Sequence, residues 1–239
     1  MKREHELALN YHENTKHNKL VDFRNLNKVT FAPQIQYKYY LNNKKVKLSK
    51  IEAVDTFSQT VKLRKSTRDY NNYPVSLNEI SKLLDLSASL NGIDDSSRVY
   101  PSAGKRYPLE MYIAIFNSND IEKGIYHYDV ISHSLTLVKS GCFKEELYHY
   151  SLNQELVLNS SMLIVLTAVF DRTLQKYSNR GYRYVLIDAG HIGQSIYLAS
   201  TYLELGVVSL GGFKDNDINK LLKINESKET SLYLIAIGK

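Results

Sequence analysis

Cysteine, tryptophan and long apolar runs are scarce or missing in this chain of 239 residues. A single cysteine, Cys142, leaves no intrachain disulfide to form and no thiolate cluster to hold a metal. Tryptophan is absent while tyrosine occurs 19 times, a bias toward surfaces that are half apolar and half polar. The longest apolar run, Met162 to Phe170, is too short to span a bilayer. The start, Met1-Lys2-Arg3-Glu4-His5-Glu6, has no apolar signal core, so a cytoplasmic location is expected. There is no phosphate-loop motif, nucleophile elbow or His-Glu zinc motif, and no second histidine stands at ligand spacing from His191. No metal is expected. Lysine and arginine outnumber the acids, giving a formal charge of +6, but they are spread along the chain apart from Asn43-Lys44-Lys45-Val46-Lys47. That distribution suits a small anion better than a nucleic acid.

What remains is an ordinary globular composition, 43% hydrophobic and 23% charged, with no internal repeat. The length fits one domain with a decorated N-terminus. Residues 1–50 are polar with little periodicity and read as an arm; residues 51–239 read as the domain. A helix is expected from Ser49, as cap, to Val61, carried by Ile51, Val54, Phe57 and Val61. A second starts at a capping box, Ser76 with Glu79, and carries Ile80, Leu83, Leu84, Leu86 and Leu90. Strands are expected at 109–116, 124–129, 134–138 and 231–237, with a short extended piece at 207–213. The branched apolar run 162–170 reads as a central buried strand. Further helices are expected over 143–152, 182–205 and 215–222. The class is α+β, a sheet between helices.

The chain is organised around residues 170–203, where a polar, basic loop feeds an apolar helix. Lys176 and Tyr177 are neighbours, and neighbours on regular backbone point apart, so they serve one site only from irregular backbone. Ser178, Asn179 and Gly181 favour that irregularity. Three other segments are open to two readings each. Arg64-Lys65-Ser66-Thr67-Arg68 is either a solvated basic loop or a set of charge-assisted donors for a phosphate. Ser102-Ala103-Gly104, inside the loop 101–107, is a plain turn or a place where backbone amides approach a flat ligand. Gly211-Gly212 ends a strand or admits a ligand to the backbone. On the long helix, Gly190 and Gly193 flank His191; helical glycines imply a closely packed surface, a partner subunit or a cofactor ring, and a lone histidine there reads as a core residue.

Taken jointly and in order, these segments, with Tyr11-His12-Glu13-Asn14-Thr15-Lys16, Gly124-Ile125-Tyr126-His127-Tyr128-Asp129 and Asp188-Ala189-Gly190-His191-Ile192-Gly193-Gln194, resemble the FMN-dependent nitroreductase superfamily. Within it they are similar to the SagB-type dehydrogenases, which oxidise azolines in peptide natural-product biosynthesis. The resemblance implies a mainly antiparallel sheet flanked by helices, and a homodimer with FMN at the interface. It implies Arg64, Lys65, Ser66 and Arg68 at the phosphate, Ser102, Ala103, Gly104 and Lys105 on one side of the flavin, and Leu210, Gly211 and Gly212 against its ring. Lys176 and Tyr177 match the subfamily's catalytic pair: a tyrosine of ordinary pKa near 10 becomes a usable base beside an ammonium. Ser195 and Asp188 depart from the Asn and Glu usual at their positions, and the chain stops at Lys239 where relatives continue into a basic tail. The implied substrate is an azoline-containing peptide, in company with a cyclodehydratase. An NAD(P)H-dependent nitro or quinone reductase and a noncatalytic flavoprotein scaffold are the competing readings.

Overall fold

A computed structural model describes residues 6–16, 37–94 and 96–239. Helix α1 spans Glu6–Thr15, α2 Thr56–Leu63 and α3 Leu77–Ala88; strands β1 Leu109–Ile115, β2 Gly124–Asp129 and β3 Ser134–Ser140 follow. Then come α4 Lys144–Tyr150, α5 Leu156–Asn159, β4 Met162–Ala168, α6 Asp171–Tyr177, α7 Gly181–Tyr202, β5 Gly206–Leu210, α8 Asp215–Leu222 and β6 Thr230–Gly238. The six strands form one sheet in the order β3-β2-β1-β4-β6-β5, and each neighbouring pair is antiparallel. The α+β class and the antiparallel sheet expected from the sequence are present.

Period-two alternation divides the strands between two cores. Met111, Ile113, Ile164 and Ile235 point to one face, where α3 and α7 pack with Leu83, Val185, Ile192 and Ile196. Tyr112, Ala114, Val165 and Leu234 point to the other, covered by α4, α5 and α8 through Leu147, Val157 and Ile218. Strand β4 lies between β1 and β6 and is buried at all seven positions, which is why its sequence reads as an unbroken apolar run.

Local signals succeed where side chains satisfy backbone directly. Ser76 Oγ accepts from the Glu79 amide while Glu79 Oε2 accepts from the Ser76 amide, closing the box at the start of α3.

Three expectations need correction. The helix expected from Ser49 begins at Thr56, because Asp55 accepts from the Ser58 amide at 2.8 Å and caps it there. Ile51 and Val54 consequently lie in exposed coil at 72% and 75% accessibility. The N-terminal arm contains a helix, α1, whose buried residues are Ala8 and His12; Leu7, Leu9 and Tyr11 face outward, so its apolar residues do not mark the buried face by periodicity. The rest of that arm up to residue 36 lies outside the described residues, apart from Lys16. Finally, the loop expected at 170–181 is mostly helix: Asp171 occupies the first turn of α6, where an acid suits the helix dipole, and Leu174 is buried.

Candidate functional site

Helix α6 ends abruptly at the pair of interest. Tyr177 leaves helical geometry (φ −122°, ψ 7°), and Ser178 adopts φ 48°, ψ −146°, a left-handed conformation unusual for any residue but glycine. A single irregular step, rather than a whole loop, frees the two neighbours from opposite directions. They converge on Gly104. A Cβ built there would lie 2.5 Å from Tyr177 Oη and 2.8 Å from Lys176 Nζ. Gly104 has φ 60°, a conformation that favours glycine, and a side chain there would displace the two heads. The Lys176 ammonium lies 5.3 Å from the centroid of the Tyr177 ring, and Tyr184 braces that ring edge-on at 4.9 Å.

The turn beneath this pair is fixed by Asp188 of α7. Its carboxylate accepts from Ser102 Oγ at 2.5 Å and from the Ala103 amide at 3.3 Å; Ser102 Oγ in turn accepts from the Tyr107 amide. Burial pushes the Asp188 carboxyl above its ordinary range, with those two donors partly offsetting it. Arg172 anchors α6 to the same loop, with Nη1 at 2.5 Å from Glu110 and donating to the Tyr107 carbonyl, while Arg106 Nε donates to the Arg172 carbonyl. Burial alone would raise the Glu110 carboxyl, but the hydrogen bond with His127 and the charge of Arg172 outweigh it and hold it low.

A second group gathers at the other end of α7. Tyr197 Oη meets Ser66 Oγ at 3.1 Å and accepts from the Ser209 amide of β5 at 3.0 Å, and the Arg64 guanidinium lies 5.5 Å from its ring centroid. Burial would raise this phenol, yet those hydrogen bonds and the Arg64 charge leave it below its ordinary pKa. The basic segment is tied on by the Thr67 amide to Val207 and the Asn71 amide to Lys239. It approaches closely because Gly206 and Gly238 lack side chains: an added Cβ would meet Thr67 Cγ2 at 2.9 Å and Tyr70 Cδ1 at 2.8 Å.

The residues expected to form one site therefore fall into two groups. Lys176, Tyr177 and Gly104 meet, with Ser102 and Ala103 directed inward to Asp188 rather than outward. Lys105 pairs instead with Asp94 at 2.7 Å. Arg64 and Ser66 meet at Tyr197; Lys65 and Arg68 are exposed and have no ion pair among the described residues. Leu210 is turned into the second core, Gly211 has open space beside it, and Gly212 packs on Leu152. His191, expected in the core, is exposed, because Ala189, Ile192 and Gly193 take the buried face of α7. Gly193 is explained by the ring of Tyr233 at 3.2 Å; Gly190 faces open space. Tyr197 and Asp188 are the linking residues that motif reading missed as site builders. Tyr197 carries no local signal, and Asp188 is marked only as a departure from a pattern.

The donor set fits a flat, anionic cofactor. Arg64, Lys65, Ser66 and Arg68 could supply cations and a hydroxyl to a phosphate, and Gly211 has open space for a ring, whereas the space at Gly104 is taken by the heads of Lys176 and Tyr177. Among the described residues no cluster of three or more metal-ligating side chains occurs, and no helix is long and apolar enough to cross a membrane.

The sequence pattern of the nitroreductase family matches residues 61–239. A Methanocaldococcus jannaschii protein described as nitroreductase MJ1384 is 34% identical over 196 residues, covering 81% of this chain and 96% of its own length. The microcin B17-processing protein McbC of Escherichia coli is 28% identical over 171 residues, covering 69% of this chain; the match spans 62% of McbC. The trifolitoxin-processing protein TfxB of Rhizobium leguminosarum bv. trifolii is 26% identical over 56% of this chain and 38% of its own. Among solved structures, a chain of the E. coli microcin synthetase McbBCD complex with truncated pro-MccB17 bound superimposes with a TM-score of 0.77 at 20% identity. That match covers all of this chain and 94% of the other.

Proposed function

This chain belongs to the nitroreductase family, and from that premise we propose that it is an FMN-dependent dehydrogenase of the SagB type, oxidising azoline rings of a ribosomally made peptide to azoles. The observation that carries the reading is the convergence of Lys176 Nζ and Tyr177 Oη on Gly104. Kinship with two peptide-processing proteins, McbC and TfxB, supports the substrate class.

Aromatising an azoline removes a proton from one ring carbon and a hydride from its neighbour. FMN, when bound, supplies the hydride acceptor. The chain supplies the rest. Tyr177 takes the proton, and the Lys176 ammonium stabilises the phenolate that does so. Arg64, Lys65, Ser66 and Arg68 would hold the phosphate, and Gly211, with open space beside it, would leave its backbone open to the ring. Asp188 takes the inward-facing polar groups of Ser102 and Ala103, holding the turn in shape.

The working form is a homodimer. Asp188 and Tyr197 are nine residues apart on α7, which at about 100° per residue puts them on opposite sides of the helix, roughly 13.5 Å apart along it. One chain thus presents the two half-sites in different directions, and a second copy brings them together. A nearby face is apolar and open: Phe57, Leu86 and Tyr202, all more than 40% exposed, line a 380 Å³ groove, and Val61 and Ile187 are exposed as well. Gly190, bare of neighbours, lies on the same helix and admits a partner's backbone.

Purified protein should be yellow, and an azoline-containing peptide should lose about 2 Da per ring, one hydride and one proton. Lys176→Ala and Tyr177→Phe should keep bound FMN but lower turnover by about 100-fold or more. Unaltered turnover in both removes the assignment. The kinship with MJ1384 favours one rival, a nitro or quinone reductase; rapid NADPH-dependent reduction of a nitroaromatic without azoline oxidation selects it. The fit to the McbBCD chain favours action inside a complex with a cyclodehydratase, which co-purification with that partner tests.

A further inference from the structure

Helix α1 lies outside the residues matched to the family, yet it touches both ends of the segment carrying Lys176 and Tyr177. The His12 ring stands 5.1 Å from Phe170, which precedes α6, and 6.1 Å from Tyr182 in the first turn of α7. Its two nitrogens lie 3.3 Å from Tyr182 Oη and from Thr230 Oγ1 of β6. Between those ends, the Ala8 amide donates to Asn179 Oδ1 at 3.1 Å. Asn179 is two residues beyond Tyr177 and next to Ser178, whose φ of 48° and ψ of −146° persist only where the surroundings over-determine them. Among the described residues, the Ala8 hydrogen bond is the one that reaches the turn 178–180 from outside segment 171–184.

A merely structural helix would anchor itself with leucine. This one buries Ala8 and His12, while Leu7 and Leu9 stay 74% and 42% exposed. Ten residues make a marginal helix without tertiary contacts, so α1 is ordered by the surface it grips. The grip joins ring contacts of Tyr11 and His12 with Tyr182 and Phe170 to directional hydrogen bonds, one of which falls on the turn after Tyr177.

We propose that α1 is a positioning clamp: through Ala8 on Asn179 and His12 on Tyr182 and Thr230 it holds the reversed bend at Ser178, and so aims Lys176 and Tyr177 at Gly104. The proposal rests on the catalytic reading of that pair. Asn179 and His12 are positioning residues, since they act through the turn and reach neither Gly104 nor the two side-chain heads.

The test uses full-length, FMN-loaded protein and three variants, Asn179→Ala, Asn179→Asp and His12→Phe. Amide hydrogen exchange over 171–182, flavin content, kcat and KM are measured. Asn179→Ala should raise exchange over 176–182 and lower kcat about 10- to 100-fold, the scale of a small misplacement of reacting groups, with flavin content and KM unchanged. Asn179→Asp keeps an acceptor oxygen for the Ala8 amide and should restore both. His12→Phe keeps the ring contacts without the two polar links and should fall between; should it fail to fold, the Asn179 pair decides. Unchanged kcat in Asn179→Ala, or a loss that Asn179→Asp does not repair, overturns the proposal. If the unaltered protein oxidises no azoline, the proposed function fails by itself. The clamp is then judged by exchange, and unchanged exchange in Asn179→Ala overturns it.

Discussion

The two ends of α7 are built to different degrees. At its start, the Lys176 and Tyr177 side chains are held from several directions: Gly104 beneath them, Tyr184 beside them, Arg172 tying α6 to the neighbouring loop and α1 on the following turn. At its far end, Arg64 and Ser66 meet Tyr197, but Lys65 and Arg68 are exposed and the surrounding α2 face is apolar and uncovered. Chemistry that needs two heads aimed at one point is finished within the chain. In the proposed homodimer, holding a ligand between two surfaces would fall to association, since an isologous contact supplies a second surface without further sequence.

That contrast can be broken most severely at Gly104. Gly104→Ala forces a side chain into a left-handed conformation and against Tyr177 Oη and Lys176 Nζ. Azoline turnover should fall at least about 100-fold with little change in secondary structure by circular dichroism. Activity near that of the unaltered protein would mean the two heads do not work where they meet. Next, Phe57→Asp puts a charge on the open α2 face, where Phe57 is 73% exposed. Light scattering should show a dimer becoming a monomer, with flavin lost on dialysis and the monomer still folded; a persisting dimer would locate the interface elsewhere.

The third prediction concerns pH. Burial, reinforced by the Lys16 charge and opposed by Glu13, lowers His12 to about 4 from an ordinary 6.5. The ring faces Tyr182, Thr230 and Phe170 on the packed elements, and Lys16 in turn lies near Glu13 and Glu226. A depressed folded-state pKa favours the neutral ring, so docking of α1 is complete above about 6.5 and is lost as pH falls through about 4. Exchange of α1 amides, corrected for the intrinsic rate, should rise across that window in the unaltered protein and not in His12→Phe. The smallest effect is a control away from either end of α7: Ser76→Ala opens the capping box of α3 and should cost about 1 kcal/mol, lowering Tm by roughly 2–4 °C without altering turnover.

How far the sequence could be read follows the range of the forces involved. The box at Ser76 and Glu79, the buried run of β4 and α8 at Asp215–Leu222 were legible because each is decided within a few residues. The start of α2 was misplaced because Ile51 and Val54 have helical spacing but no surface to pack on. Helix α1 was missed because only Ala8 and His12 turn inward, and what they grip lies some 170 residues further along the chain or more. The candidate residues were named in advance by pattern, but their division into two groups was not.

Composition, turn chemistry and apolar periodicity set the α+β class and the residues able to bear charge or proton, since these depend on chemistry carried by each residue and its near neighbours; the antiparallel sheet was implied by family resemblance. Which of those residues meet depends on directions: the reversal at Ser178, the half-turn offset between Asp188 and Tyr197, the inward aim of Ser102 toward a carboxylate 86 positions away. Directions accumulate along the backbone and are fixed only when distant segments pack, so they emerge with the fold.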